Sequence, residues 1–329
     1  MPTDLNGLSR RRWLEGVTAS IAVSSSSWGR AQTPTAFPQR PITLLVPWSA
    51  GGATDLSMRV LAEVASQHLG QRVIVENKPG AGGILAMPAL TQAAPDGYTV
   101  AQMPQTVFRA PWVQKVMWDP VRDTAAILQI STVTFGLVVP AASPWQSVAQ
   151  LLAWARQHPG ELTVATNGVG TTPHLLMEEW FGRLGLQYIH VPYKGVSEQM
   201  LAVSSSQVML GVGANGISAY VEAGKARMLA TTASRRSLRR PQVPTMRELG
   251  HEIVASSAYG LAAPRGVPSD VVQVLHDAFK QALFDARHVA ELARYDQETA
   301  YLDSASYRRS MLGQFQSEQA IVKRLGLQG

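Results

Sequence analysis

The chain has 329 residues, 46% of them hydrophobic and 16% charged, no cysteine, and a formal net charge of +6. That much apolar content with so little charge excludes a disordered or fibrous chain, and the missing cysteine excludes disulfides, thiolate nucleophiles, zinc fingers and iron–sulfur ligation. No run of 18 apolar residues occurs, so no membrane-spanning helix is expected, and the length predicts two or three domains.

Ser9-Arg10-Arg11-Arg12-Trp13-Leu14 precedes a weakly apolar, Ser-rich stretch, Gly16 to Ser27, and then Gly29-Arg30-Ala31, a small-x-small cleavage pattern. This order reads as an export signal over residues 1–31, of twin-arginine type, although Glu15 stands where a basic residue is usual. Without those residues the chain holds 25 basic and 21 acidic groups, a net charge of +4. The expected location is the periplasm, with no lipid anchor, because no cysteine stands at the cleavage point.

Downstream, Ile42 to Pro47 predicts a strand. The Gly-rich Trp48-Ser-Ala-Gly-Gly-Ala-Thr-Asp55 follows it, and then a helix marked by Leu56, Val60, Leu61, Val64 and Leu69, with Thr54 and Asp55 suited to its N-terminus. Val73 to Val75 is a strand, Gly80 to Gly83 opens a helix reaching Ala93, Pro95-Asp-Gly97 turns, and Tyr98 to Ala101 is a strand. Further strands fall at 136–139, 162–165, 188–191, 208–212 and 228–230, with helices at 148–158, 173–184 and 198–203 between them. From Ser269 the pattern is nearly all helical, ending in a helix from about Ser304 to Leu325. Strands alternating with helices predict an α/β fold of mostly parallel sheets. Crossovers near 131–134 and 255–259 divide it into lobe 1 (37–133 plus 257–329) and lobe 2 (134–256), the helical tail returning to lobe 1.

Gly211-Val-Gly-Ala-Asn-Gly216 is a literal G-x-G-x-x-G after a strand, but the acidic residue that a nicotinamide site wants about 20 positions on is replaced by Thr231, Thr232, Arg235 and Arg236. Those arginines leave an NADP-dependent oxidoreductase as the alternative reading. No G-x-S-x-G elbow and no H-E-x-x-H occurs. The basic run Ser234 to Pro241 has no aromatic residue to stack bases, so it reads as a solvated loop and nucleic acid is not an expected partner. The strongest chemistry lies in two Gly-rich strand-to-helix loops, Trp48 to Asp55 and Thr166-Asn-Gly-Val-Gly-Thr-Thr-Pro173. Their small residues let backbone N–H groups at a helix N-terminus converge on an anion. Hydroxyls of Ser49, Thr54, Thr171 and Thr172 add neutral donors, and His174 begins a helix beside the second loop.

Val46 to Asp55, Val75-Glu-Asn-Lys-Pro-Gly-Ala-Gly-Gly83, Pro95 to Thr99, Val191-Pro-Tyr-Lys-Gly195, Ala223 to Arg227, Pro241 to Thr245 and Tyr259 to Pro264 together resemble the Bug, or TctC-like, receptors of tripartite tricarboxylate transporters. The resemblance implies a two-lobe periplasmic binding protein of type II-like architecture. Such a receptor closes on a small organic carboxylate, has no catalytic residue, cofactor or metal, acts as a monomer, and delivers to membrane permease subunits. The same architecture could serve as a ligand-sensing partner of a signalling system. By position, the resemblance assigns ligand binding to Trp48, Ser49, Ala50, Gly51, Gly52, Thr54, Asp55, Thr166, Asn167, Gly170, Thr171, Thr172, His174, Gly213 and Asn215. Two departures bear on the ligand. Gly213 stands where many members have an Asp, which removes the partner of an ammonium group, and Trp48 stands where Phe or Tyr is common, either against an apolar, aromatic ligand body or as core.

Overall fold

In the computed structural model the described residues are 37–214, 216–237 and 239–327. The expected signal over residues 1–31, and Asn215, lie outside them. The chain opens with β1 (Ile42–Val46), α1 (Ala53–Leu69), β2 (Val73–Asn77), a 3₁₀ turn (Ala81–Gly83), α2 (Ala86–Thr91), β3 (Thr99–Met103), α3 (Thr106–Val113) and β4 (Thr124–Thr134). It continues through β5 (Gly136–Pro140), α4 (Val148–Gln157), β6 (Thr163–Thr166), α5 (Thr172–Leu184), β7 (Ile189–Pro192), α6 (Val196–Ser204), β8 (Leu210–Gly213), α7 (Ile217–Glu222) and β9 (Ala226–Thr231). The last elements are β10 (Ser256–Pro264), α8 (Ser269–Phe284), α9 (Ala286–Arg294), β11 (Glu298–Leu302) and α10 (Ser304–Arg324).

Two sheets result, ordered β11-β4-β10-β3-β1-β2 and β7-β6-β8-β5-β9. Both are mixed. β1 pairs in parallel with β2 and β3, and β6 with β7 and β8, but β10, β11 and β5 make only antiparallel pairs. The expected alternation of strand and helix therefore holds only for the parallel core of each sheet. Long strands that leave one sheet for the other supply the rest.

Each parallel core has the residue pattern of its burial. β1, ITLLV, lies between two strands and is apolar at nearly every position, whereas edge strand β2, VIVEN, alternates. α1 and α5 end on Gly70 and Gly185, both left-handed (φ 64° and 65°), the stop that glycine makes without steric cost. The opening expected at Gly80–Gly83 is a single 3₁₀ turn, separate from α2, because Gly82 takes φ 68° inside it.

The sheets are joined where β4 passes into β5 through Phe135 and where the 232–255 segment leads from β9 into β10. Thr232, fully buried, staples this junction. Its N–H donates to Phe135 O (2.8 Å), its Oγ1 accepts from Phe135 N (3.0 Å) and donates to Ala255 O (2.8 Å), and its carbonyl accepts from Ala255 N (2.9 Å). The tail packs on the first sheet, and within it β11 interrupts the helices that the sequence pattern predicts. Among the described residues no helix is long and apolar enough to cross a membrane.

Candidate functional site

Between the sheets lies a cavity of ≈ 90 Å³, room for about six to nine water-sized centres at roughly 10–15 Å³ each. It sits at the carboxyl ends of the parallel strands, where open α/β sheets place ligands. Four helices begin on its wall: α1 through Gly52, Ala53 and Thr54; α3 through Gln105 and Thr106; α5 through Thr171, Thr172 and Pro173; α6 through Gly195, Val196 and Ser197. None of the four N-cap residues, Gly52, Gln105, Thr171 and Gly195, makes a side-chain capping bond. The remaining wall is neutral: Trp48, Ser49, Gln102, Pro104, Val133, Phe135, Asn167, Ala214, Ser257, Ala258 and Tyr259. Among the described residues no charged side chain lines it.

The two sides of the cavity touch. A Cβ built on Gly195 would lie 3.4 Å from Ser49 Oγ, and one on Gly52 would lie 3.6 Å from Ser197 Oγ. On the other flank, Ser257 Oγ donates to Thr172 Oγ1 at 3.0 Å. A Cβ on Gly82 would come within 3.2 Å of both Val169 O and Thr171 Cγ2, so glycine permits the approach of the 80–83 turn to the 167–171 loop. Contacts thus bridge the cavity at both flanks.

Of the residues assigned from sequence, Trp48, Ser49, Gly52, Thr54, Asn167, Thr171 and Thr172 line the cavity. Ala50 and Gly51 lie outside its lining, in the same loop. Asp55 turns away from it. Rather than capping α1, its buried carboxylate accepts from Gly51 N (2.8 Å), Arg59 Nε (2.9 Å) and Asn77 Nδ2 (2.8 Å), and Asn77 also donates to Trp48 O (2.9 Å). Burial opposes the charge, but these donors outweigh it and hold the carboxyl below its ordinary range. Asp55 thus fixes the loop that carries Trp48 and Ser49. The half-buried Trp48 indole packs its edge on Gly83, where a Cβ would lie 3.1 Å from Cη2, and lines the cavity.

Thr166, Gly170 and His174 stand behind the second loop. Thr166 Oγ1 donates to Gly168 O (3.1 Å), so its 2.7 Å bond with His190 runs from Nε2–H to the hydroxyl. Gly170 N donates to His174 Nδ1 (3.1 Å), and the two imidazoles stack with centroids 4.0 Å apart. Burial lowers the pKa of each ring, taking His190 down to about 4, and outweighs Glu178, whose Oε1 lies 3.4 Å from His174 Nε2 and pulls the other way. Gly213 lies outside the lining, beneath Gln199, where a Cβ would meet Oε1 at 2.9 Å; Gly211 likewise lies against Val203 (2.7 Å). Gly211 and Gly213 therefore let α6 approach β8.

Sequence reasoning missed Gln102, Gln105, Thr106, Phe135, Ser197, Ser257 and Tyr259. Tyr259, buried, donates from its hydroxyl to Gln297 Oε1 at 2.7 Å, and burial raises its pKa above the usual phenol value. The basic run is also less solvated than expected. Arg240 is buried and pairs with Glu222 and Asp296, Arg239 pairs with Glu222 and Arg236 with Glu248, beside a separate cavity of ≈ 420 Å³. Among the described residues no group of three or more His, Asp or Glu is placed to hold a metal ion.

A neutral, two-sided cavity built on helix N-termini defines a solute-binding α/β receptor. The model of the tripartite tricarboxylate transporter family receptor matches residues 57–327, and the chain belongs to that family. It is similar to the protein of the gbd 5′ region of Cupriavidus necator, 45% identical over 94% of this chain and 96% of that one. Solved structures it resembles include the periplasmic binding protein BugD (TM-score 0.83, 26% identity, 89% of this chain and 99% of BugD). A Rhodopseudomonas palustris protein solved with adipate gives 0.83, 28%, and 88% and 98% coverage. MatC of R. palustris with bound malate gives 0.80, 25%, and 87% and 100%.

Proposed function

We propose that this receptor is exported to the periplasm and binds a small dicarboxylate in the neutral cavity, handing it to membrane permease subunits of its transporter. The observation that carries the reading is the convergence of four uncapped helix N-termini on a space that, among the described residues, no charged side chain lines. Each helix brings about half a positive charge to its N-terminus, with the eight-residue α3 bringing less, so the set offers a field of about 1.5 to 2 charges, offset in part by Asp55 and Glu198 in the first turns of α1 and α6. That matches two carboxylates. The adipate and malate seen in the structural relatives are dicarboxylates and support the choice. With no acid on the wall among the described residues, an ammonium group has no partner there, which disfavours amino acids.

In this reading Trp48, Ser49, Gly52, Thr54, Asn167, Thr171 and Thr172 touch the ligand, with Ala50, Gly51, Asp55, Thr166, Gly170 and His174 holding their loops. Residues 37–133 with 257–329 form one lobe and 134–256 the other. They move about the Phe135–Thr232 staple by hinge closure. The chain acts as a monomer without catalysis. A thermal-shift screen of adipate, malate, benzoate and aspartate tests the ligand class. Adipate or malate should stabilise by about 2.7 kcal/mol at a hundredfold excess over Kd, whereas a shift with aspartate alone overturns the reading. Mass spectrometry of the periplasmic protein should place its N-terminus near Gln32; an intact Met1 there contradicts export with cleavage.

A further inference from the structure

We infer that Arg109 is a positioning residue that holds the closed receptor, locking the 167–171 loop of the second sheet to the C-terminal helix and so setting the rate of ligand release. This rests on the proposed receptor function. Arg109 lies on α3, outside the cavity lining, with its side chain 3% exposed, and the facing Glu318 of α10 is 0% exposed. The pair is bidentate: Nε donates to Oε2 at 2.6 Å and Nη2 to Oε1 at 3.0 Å. A guanidinium neutralised in this way keeps one fork free. From it Nη1 donates to Gly170 O at 2.6 Å, across the interface between the two sheets, and Nη2 reaches Thr172 Oγ1 at 3.4 Å.

Three features make this bond a closure device rather than ordinary packing. First, its acceptor is in the loop that carries Asn167, Thr171 and Thr172 to the cavity, so opening the cleft must break it. Second, Gln105, one turn before Arg109, lines the cavity and donates to the same Glu318 Oε1 at 2.5 Å; cavity wall and interlobe bond therefore share one carboxylate. Third, α10 reaches α5 again through Arg324 and Glu179 at 3.2 Å, so the tail helix grips both sides. A further contact across this flank, Ser257 to Thr172, is a neutral hydroxyl bond, and a hydrogen bond to a charged group is the stronger kind. Because it forms only once the loops have met, Arg109 acts on release more than on capture.

The test uses the mature chain. With no native cysteine, the exposed pair Lys115→Cys and Gln187→Cys takes two spin labels cleanly, one beside each sheet. Arg109→Met combined with Glu318→Gln removes the donor to Gly170 without leaving a lone buried charge, which guards against simple unfolding; Arg109→Lys is the conservative comparison. The double variant should shift the ligand-free distance distribution towards longer separations. It should also raise the release rate of adipate, or of malate, about ten- to hundredfold, the range for a hydrogen bond to a charged group, with the association rate unchanged. Arg109→Lys should recover part of both effects. An unaltered distance distribution together with an unaltered release rate in the double variant overturns the inference. If neither acid binds the parent while the distribution still shifts, the dicarboxylate reading falls and the closure role of Arg109 stands.

Discussion

Helices in this receptor begin in two ways. Away from the cavity, α4, α9 and α10 are capped by Ser147, Asp285 and Asp303, whose side chains accept from the N–H groups of Gln150, Arg287 and Ser306, while α2, α7 and α8 start without a side-chain cap. At the cavity, α1, α3, α5 and α6 have Gly52, Gln105, Thr171 and Gly195 at the same position, and none of them caps. Local stability favours a cap by about 1 kcal/mol. A missing cap alone marks nothing, since α2, α7 and α8 lack one too; what sets α1, α3, α5 and α6 apart is that their uncapped starts face one cavity.

Putting a cap where none exists should have the largest effect. Gly52 has β-region φ/ψ and room for a Cβ, so Gly52→Asp should leave stability unchanged or raise it by a few tenths of a kcal/mol. The new carboxylate on the wall should weaken adipate binding by about a hundredfold or more, because like-charge juxtaposition costs several kcal/mol. Calorimetry with a melting curve on one sample reads both, and unweakened binding would remove α1 from the site. Next, Trp48→Ala should cost about 2 kcal/mol of stability, less than the 3–5 kcal/mol of a fully buried Trp, and should weaken benzoate more than adipate. Equal losses for the two acids would leave Trp48 as packing only.

Ser147→Ala reverses the first experiment. Denaturant titration should show a loss of about 1 kcal/mol, with adipate affinity unchanged; a change in affinity would erase the distinction between the two kinds of terminus. The smallest effect concerns acid. The neutral, pKa-depressed His190 contributes stability that is fully present above its unfolded value of 6.5 and is lost as pH falls towards about 4. Melting temperature should therefore drop across that window, and His190→Asn should flatten the drop. Partial exposure of the ring keeps the effect modest. An identical pH slope in the variant would show that the imidazole behind the 167–171 loop has no such role.

The glycine-dense loops announce themselves in the sequence because a strand-to-helix turn needs small residues, and the same density marks both lips of the cavity. Other parts leave weaker traces. α3 is eight residues long with Pro111 inside it, too short for a 3.6-residue period, so Gln105 and Thr106 carry no signal. β4 is buried at nearly every position and β10 is rich in Ala and Gly, so neither alternates, and the strands that join the sheets look like linkers. Gly213 misleads for a different reason: a glycine required by Gln199 above it reads like one required by a ligand. Asp55 reads as a cap because acids favour first turns, yet Arg59 and Asn77, four and 22 residues on, draw it into the loop's own network.

Amide chemical shifts measured by NMR on the perdeuterated receptor during titration with adipate, or with the acid that gives the largest thermal shift, compare the two kinds of helix start directly. The expected result is a large downfield movement of the N–H signals of Thr54, Thr106, Thr172 and Ser197 at the uncapped termini, with Gln150, Arg287 and Ser306 at the capped termini unmoved. Saturated binding with the four cavity amides unmoved would contradict recognition by helix N-termini.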